Sequence, residues 1–459
     1  MVTNKNEAYD FIENNLPRLK KNLNDFLKIK SISTDPNHEK DIIKSVDWLK
    51  NYLRNIGFSN LKILKCKGHP ALFAEMRSKN DDAKTVLVYG HYDVQPPEPT
   101  DKWLTPPFEP VIYQDNLFCR GASDMKGQIM ASIYAVEAML SSGELPINIK
   151  FLLEGEEEIG SPTLNDILLN NKELLAADIV LNPDAGMISK DTPTITYGLR
   201  GLAYFELRIY GPKNDLHSGL FGGIIHNPAI VLSKVIASFH NEDGKVQIPD
   251  FYNNVIELDP NERETLNKLP ITDENLINQT GVNKLWGENQ YTSIERIGIR
   301  PTLDINGLYS GFIDEGSKTI IPSYAMAKIS MRLVPDQKPD EIYQNLFNYL
   351  KSIIPDTVNW ELIQMAGSPP SVTNTNIPAI KSLTSSFEEV WGCPPVFKRE
   401  GGSIPVVLSI QEILGIESIL TGFGLPEDNI HGPNEKLHLP TWEKGIRSLI
   451  AFLYNYSSD

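Results

Sequence analysis

Thr85-Val86-Leu87-Val88-Tyr89-Gly90-His91-Tyr92-Asp93 decides the reading of this chain. Thr85 to Tyr89 is β-branched and aromatic with almost nothing polar, the composition of a strand buried on both faces of an α/β sheet. Gly90 ends the run. His91 and Asp93 follow at its carboxyl end, where open α/β sheets place their ligand crevice. The His-x-Asp spacing suggests a metal ligand at His91, with a carboxylate two residues on to orient it. A histidine after a strand is ordinarily a polar loop residue. The acidic chemistry downstream argues otherwise.

Residues 147–153 read as a second buried strand. It runs into Glu154-Gly155-Glu156-Glu157-Glu158-Ile159-Gly160-Ser161, where crowded carboxylates repel one another unless cations compensate. A third strand, 179–181, ends in Asn182-Pro183-Asp184. Between the first two, Cys119-Arg120-Gly121-Ala122-Ser123-Asp124-Met125-Lys126-Gly127 leads into a helix expected at 128–140. Asp124 then sits at a helix start, where an anion is favoured, although a capping role explains that segment equally well. His431 lies just past a strand at 418–421. Histidine and carboxylates without cysteine suit a hydrolytic zinc, manganese or cobalt site. Two metals sharing one carboxylate would sit about 3.5–4 Å apart and activate a water between them. One of the adjacent pair Glu157 and Glu158 could be the general base while the other binds metal.

The 459 residues call for more than one domain. The formal net charge of -16 argues against a nucleic-acid or anionic-membrane partner, either of which wants a basic face. Cys66, Cys119 and Cys393 are scattered and odd in number, so neither a disulfide framework nor a zinc cluster is expected. The first 30 residues are charged and amphipathic, without the apolar core of a signal peptide, and no apolar run is long enough to span a bilayer. These features point to the cytoplasm.

Helices are expected at 6–27, on the stripe Ala8, Ile12, Leu16, Leu19 and Leu23, and at 43–56, on Ile43, Val46, Leu49 and Leu53 with Gly57 as the stop. From Gly198 the pattern changes. Residues 202–210 alternate Phe205, Leu207 and Ile209 against Tyr204, Glu206 and Arg208, a half-exposed antiparallel strand. A helix at 227–239, an alternating strand at 325–333, a helix at 341–353 and a strand at 358–362 follow. This predicts a small α+β domain at 198–367 inserted into an α/β domain formed by 1–197 and 368–459. Strand 397–403 and a terminal helix at 441–456 complete the larger domain.

The motifs Gly-His-Tyr-Asp-Val-Gln-Pro, Arg-Gly-Ala-Ser-Asp-Met-Lys-Gly, Glu-Glu-Ile-Gly-Ser, Gly-Pro-Lys-Asn-Asp-Leu-His-Ser-Gly-Leu-Phe-Gly-Gly, Arg-Glu-Gly-Gly-Ser-Ile-Pro and His-Gly-Pro-Asn-Glu-Lys occur in that order over nearly the whole chain. Together they resemble the co-catalytic metallopeptidases of the carnosinase and cytosolic nonspecific dipeptidase group, relatives of acetylornithine deacetylase, succinyl-diaminopimelate desuccinylase and glutamate carboxypeptidase. The resemblance implies a three-layer α/β catalytic domain with a binuclear metal site and a ferredoxin-like α+β lid that also dimerises. His91, Asp124 and Asp184 would hold one metal, and Asp124, Glu158 and His431 the other, with zinc the first choice and manganese or cobalt alternatives. Asp93 would orient His91, and Glu157 would move the proton. His217 would reach the partner subunit's site and steady the oxyanion. Arg332, with the Gly402-Ser403 turn, would grip the substrate carboxylate. Asn306 and His226 look similar to positions near the lid site. A non-proline cis peptide is implied after Asp124.

His38, His69, His240 and His438 have no supporting motif and read as surface or packing residues. The chain lacks the histidine that carnosinase-like enzymes often carry where the chain leaves the lid, here Gln364-Met365-Ala366-Gly367-Ser368-Pro369-Pro370. Glu156 is a candidate substitute. The expected activity is hydrolysis of dipeptides or short peptides bearing a free carboxylate. A deacylase acting on N-acyl amino acids and an inactive metal-bound binding protein are the alternatives.

Overall fold

The structure, a computed structural model, describes residues 5–402 and 404–458. The described chain forms two compact units. The first comprises Met1–Tyr197, Thr373–Lys398 and Val406–Asp459; the second comprises Gly198–Val372 and Arg399–Pro405.

The centre of the first unit is the apolar strand that ends at His91. It runs Thr85–His91 and is buried from Val86 onward. It pairs in parallel with Asn148–Glu154 on one side and with Ile179–Asn182 on the other. Ser418–Leu420 adds a further parallel neighbour. Ala71–Met76 and Asn60–Leu64 extend the sheet antiparallel beyond Asn148–Glu154. Parallel strands must be covered on both faces, which explains the near-continuous Val, Ile and Leu content of the central three.

Helices supply that cover in a three-layer α/β arrangement. Helix Lys126–Ser141 is buried at every position from Lys126 to Met139, so it is a core element with no solvent stripe. Helices Lys5–Leu27 and Leu439–Ser458 pack against it, and Pro378–Trp391 packs on the latter. In helix Glu39–Asn55 the buried stripe is Ile42, Val46, Leu49 and Leu53. The expected Ile43 is instead 45% exposed. Ile42 completes the i, i+4, i+7, i+11 row with the other three, and a hydrophobic neighbour one residue away falls off that row.

The second unit has the element order strand Gly201–Tyr210, helix Pro228–Ala237, strand Thr302–Ser310, strand Tyr324–Leu333, helix Pro339–Ile353, strand Asn359–Ser368. Its sheet is antiparallel throughout, with Tyr324–Leu333 between the first two of those strands and Gly201–Tyr210 between Tyr324–Leu333 and Asn359–Ser368. This is the ferredoxin-like pattern. Ala203, Phe205, Leu207 and Ile209 face the helices and pack with Val231, Leu232, Val235, Leu346 and Leu350. Strand Thr302–Ser310 and the short helices Pro260–Asn267, Asp273–Thr280 and Ser293–Gly298 were not read from the sequence. Leu303 and Ile305 alternate with Asp304 and Asn306, but Gly307 and the bulge before it cut that run short, and the helices are too short for a period to emerge.

Phe205 is fully buried at the centre of this second core. Phe205→Ala should cost about 3–5 kcal/mol, read as a lowered denaturant midpoint for the transition that reports unfolding of this unit.

Candidate metal centre

Every metal-ligand candidate lies in the first unit, at the carboxyl ends of its parallel strands or in the loops beside them. His91 is the last residue of its strand. Its backbone N–H donates to the Met125 sulfur at 3.1 Å, and its ring is wholly buried. Nδ1 lies 3.2 Å from the Asp93 carbonyl and 3.4 Å from that residue's carboxylate. Nε2 points the other way, 3.1 Å from Asp124 Oδ1 and 3.8 Å from Asp184 Oδ1. On the far side of Asp124, His431 Nε2 lies 2.9 Å from Oδ2 and 3.2 Å from Glu158 Oε2. Asp124 thus presents one oxygen to each histidine. The peptide bond that follows it is cis.

Two triads result, His91–Asp124–Asp184 and Asp124–Glu158–His431, each with donor atoms within 4.8 Å of one another. Four ligands at about 2.0–2.1 Å from a tetrahedral zinc lie roughly 3.3 Å apart. The observed separations of 2.9–3.8 Å bracket that value, and the donor set is the imidazole and carboxylate mixture a hydrolytic divalent metal takes. The residues present therefore fit the metal.

Asp93 links the two halves of the site. Its buried carboxylate accepts from the backbone N–H of Glu157 at 3.3 Å and of Glu158 at 3.1 Å. One residue therefore fixes both the His91 ring and the turn Glu157–Ile159. Gln95 Nε2 donates to Glu158 Oε2 at 2.8 Å, a contact that no local sequence pattern announces. The Glu157 side chain makes no hydrogen bond among the described residues, and its half-buried carboxylate faces the cluster of charges.

The electrostatics follow from this crowding. Burial pushes the Glu157 carboxyl well above the usual range; His91 opposes the shift, and Asp184, Asp124 and Glu158 add to it. Burial and Asp124 raise Glu158 in the same direction. Burial also works against the charged form of His91, but hydrogen bonds with Asp124, Asp184 and Asp93 outweigh it and hold the imidazolium. His431 is pushed up to about 10 by its hydrogen bonds with Asp124 and Glu158. Burial would raise Asp124, but the two histidines hold it well below the usual carboxylate range. In the absence of a cation, protons on the histidines do the compensating.

Glu156 is not a spare acid. Its buried carboxylate accepts from His69 N at 2.9 Å and from the Thr163 hydroxyl, so it anchors the loop and does not stand in for the missing histidine.

The remaining sequence candidates belong to the second unit. His217 is exposed, caps helix Ser218–Phe221, and accepts from Gly219 N through Nδ1 at 3.0 Å. With Nδ1 accepting, Nε2 is the ring nitrogen left to donate elsewhere. Arg332 is half-buried opposite Thr302 and Leu202; burial lowers its pKa and Asp304 opposes that shift. Asn306 is exposed and is the extra residue of a β-bulge between Ile305 and Gly307. Gly402 is exposed with open space about it. Ser403 lies outside the described residues. His226 Nδ1 is 2.8 Å from the Thr357 hydroxyl. Sequence reasoning missed Arg200, whose Nε donates to the Gly401 carbonyl at 3.0 Å and whose Nη1 reaches the carbonyls of Arg296 and Arg300. It steadies the glycine turn that precedes Ser403.

An α/β sheet with two histidine–carboxylate triads at its strand ends, sharing one aspartate, defines a metal-dependent hydrolase. The chain belongs to the peptidase family M20/M25/M40, whose family model matches residues 87–455. It is 32% identical over 471 residues to the Cys-Gly metallodipeptidase DUG1 of Candida albicans, covering 98% of this chain and 96% of that protein. It is 32% identical over 390 residues to the Beta-Ala-His dipeptidase of Homo sapiens, covering 83% and 76%. Among solved structures it matches the M20 family metallo-carboxypeptidase Sso-CP2 from Sulfolobus solfataricus with a TM-score of 0.86 and 34% identity, over 96% of this chain and 99% of that one.

Divalent cation uptake should release protons and tighten as pH rises. His431 is pushed up to about 10 by Asp124 and Glu158 when no metal is bound, and ligation requires its neutral ring. Affinity should therefore climb with pH through the neutral range and level off near that value. Calorimetric titration of the metal-free protein with Zn2+, in buffers of differing ionisation enthalpy, measures the protons released. Uptake without proton release would contradict this picture.

Proposed function

We propose that this protein is a dipeptidase, hydrolysing the peptide bond of a dipeptide or short peptide with a free C-terminal carboxylate, and that it works with two divalent ions, zinc first among them. The observation that carries the reading is the pair of triads sharing Asp124, with the Glu157 carboxylate beside them, free of hydrogen bonds among the described residues. The names of the relatives support the substrate class: a Cys-Gly metallodipeptidase and a Beta-Ala-His dipeptidase both act on dipeptides.

Divalent cations held by His91, Asp124, Asp184, Glu158 and His431 would polarise the scissile carbonyl and acidify a water placed between them. Glu157 takes the proton of the attacking water and delivers it to the nitrogen of the leaving amine. Burial and the neighbouring acids raise its pKa in the metal-free protein, and bound cations would lower it and leave the carboxylate ready to accept a proton. Asp93 keeps His91 and the Glu157–Glu158 turn in register. His217 contributes its Nε2–H to the oxyanion. Arg332, aided by the Gly402-Ser403 turn, grips the substrate carboxylate through charge-assisted hydrogen bonds, and Asn306, placed outward by its bulge, contacts substrate.

The second unit serves as lid and dimer interface, with His217 acting in the partner subunit's site. Strand Thr302–Ser310 lies at the edge of its sheet and exposes Leu308 and Tyr309, surface that pairing with a second copy would cover. Three free thiols fit a reducing cytoplasm.

The metal-stripped protein, restored in turn with Zn2+, Mn2+ or Co2+, should cleave dipeptides and leave N-acetyl and N-succinyl amino acids intact. Turnover confined to N-acyl amino acids would make it a deacylase. Glu157→Ala should lower kcat by about 10²–10⁴-fold while the metal content of the protein is kept. Arg332→Ala should lower kcat/KM roughly 10- to 100-fold on carboxylate-bearing substrates, mainly through KM, the loss expected for one charged hydrogen-bonding group. An unchanged kcat/KM removes Arg332 from substrate binding.

A further inference from the structure

Glu435 follows His431 by four residues in the sequence motif, yet no chemical role falls to it in the reaction above. In the structure it is completely buried. Its Oε2 accepts from Arg120 Nη1 at 2.8 Å and from Gly121 N at 3.0 Å. Its Oε1 accepts from Ser123 N at 3.0 Å and from Asp124 N at 3.1 Å. Four donors fill the lone-pair positions of one carboxylate. The backbone of Glu435 joins the same knot, its carbonyl accepting from Cys119 N at 3.0 Å. Arg120 extends the knot to the proline-rich loop that follows His91, with Nη2 donating to the Pro96 carbonyl at 3.1 Å and the guanidinium lying over the Trp103 ring.

Three ligand-bearing segments thus converge on one side chain. The Asp124 segment hangs from it by three consecutive-region N–H groups, the His91 loop is reached through Arg120, and the His431 loop carries it. A buried carboxylate would be costly if it were not saturated by donors, and here each donor belongs to a segment that must be held still. We infer that Glu435 is the positioning residue of the metal centre: it sets the separation of Asp124 from His91 and His431, and so the fit of the cations. This rests on the reading of Asp124 as the shared ligand.

Glu435→Gln is the discriminating variant. An amide offers only one acceptor oxygen, and its NH2 would face two N–H donors on the other side. The metal-free parent and variant are titrated with Co2+ against a competing chelator, and the visible absorption of the saturated proteins is recorded. The variant should bind Co2+ about 10–100-fold more weakly, the usual cost of disturbing a group that orients ligands. At full occupancy its absorption band should also differ in position and intensity, because the ligands no longer stand at the parent angles. A role in folding stability alone would leave the saturated spectrum unchanged. Should Glu435→Gln fail to fold, Arg120→Lys preserves the charge but loses the bond to Pro96, and should weaken Co2+ binding roughly five-fold, the worth of about one hydrogen bond. Equal affinity and an identical spectrum in parent and variant would overturn the inference while leaving the metal site standing. A parent that takes up no Co2+ would remove both.

Discussion

Like charges cannot share a buried site without compensation, and this protein gathers Asp93, Asp124, Asp184, Glu157 and Glu158 within one. That constraint organises the first unit. Parallel strands end together at one edge of the sheet, so residues distant in sequence arrive side by side with their carboxylates converging. Two histidines sit between the acids, and the site is balanced only when positive charge lies there, as protons or as cations. An apolar sheet core gives the acids no freedom to retreat from one another, and the resulting strain in charge becomes affinity for metal.

Holding the charges requires a second layer of bonds. Asp93 spends its carboxylate on the backbone of the Glu157 turn, Glu156 ties His69 to Thr163, and Glu435 collects the Asp124 segment. Each uses an acid as a multiple acceptor for backbone N–H groups, which converts flexible loops into rigid mounts. These acids are indistinguishable by residue type from those that face the cations. The division of labour is a matter of direction: a helix start, a strand end and a turn aim Asp124, Asp184 and Glu158 at the histidines, while neighbours one or two residues away turn back into the protein.

Much of this was legible in the sequence. The strands that carry the site are short, apolar and bounded, and their order with the intervening helices specifies a parallel α/β sheet. His91, Asp124, Asp184 and His431 stood out because each follows such a strand or opens a helix, while Glu158 was separated from its neighbour Glu157 only by the family resemblance, and the structure brings those five together. The alternation at 202–210 and 325–333 gave the second unit its half-exposed sheet, since a period of two leaves a direct mark on composition. Strand Thr302–Ser310 left no such mark, because its outer face and its bulge break the alternation.

What the sequence by itself determined is therefore the set of elements and the chemical character of their ends, for these depend on local patterns of apolar and charged residues. What only the tertiary structure decided is which acid meets which partner. Glu156 and Glu157 are neighbours in the chain, yet one is tied to Thr163 and the other faces the charge cluster. Glu435 acts on Asp124 across 311 residues of chain. Such pairings are fixed by side-chain direction and by packing between remote segments, and a one-dimensional string of residue types records neither.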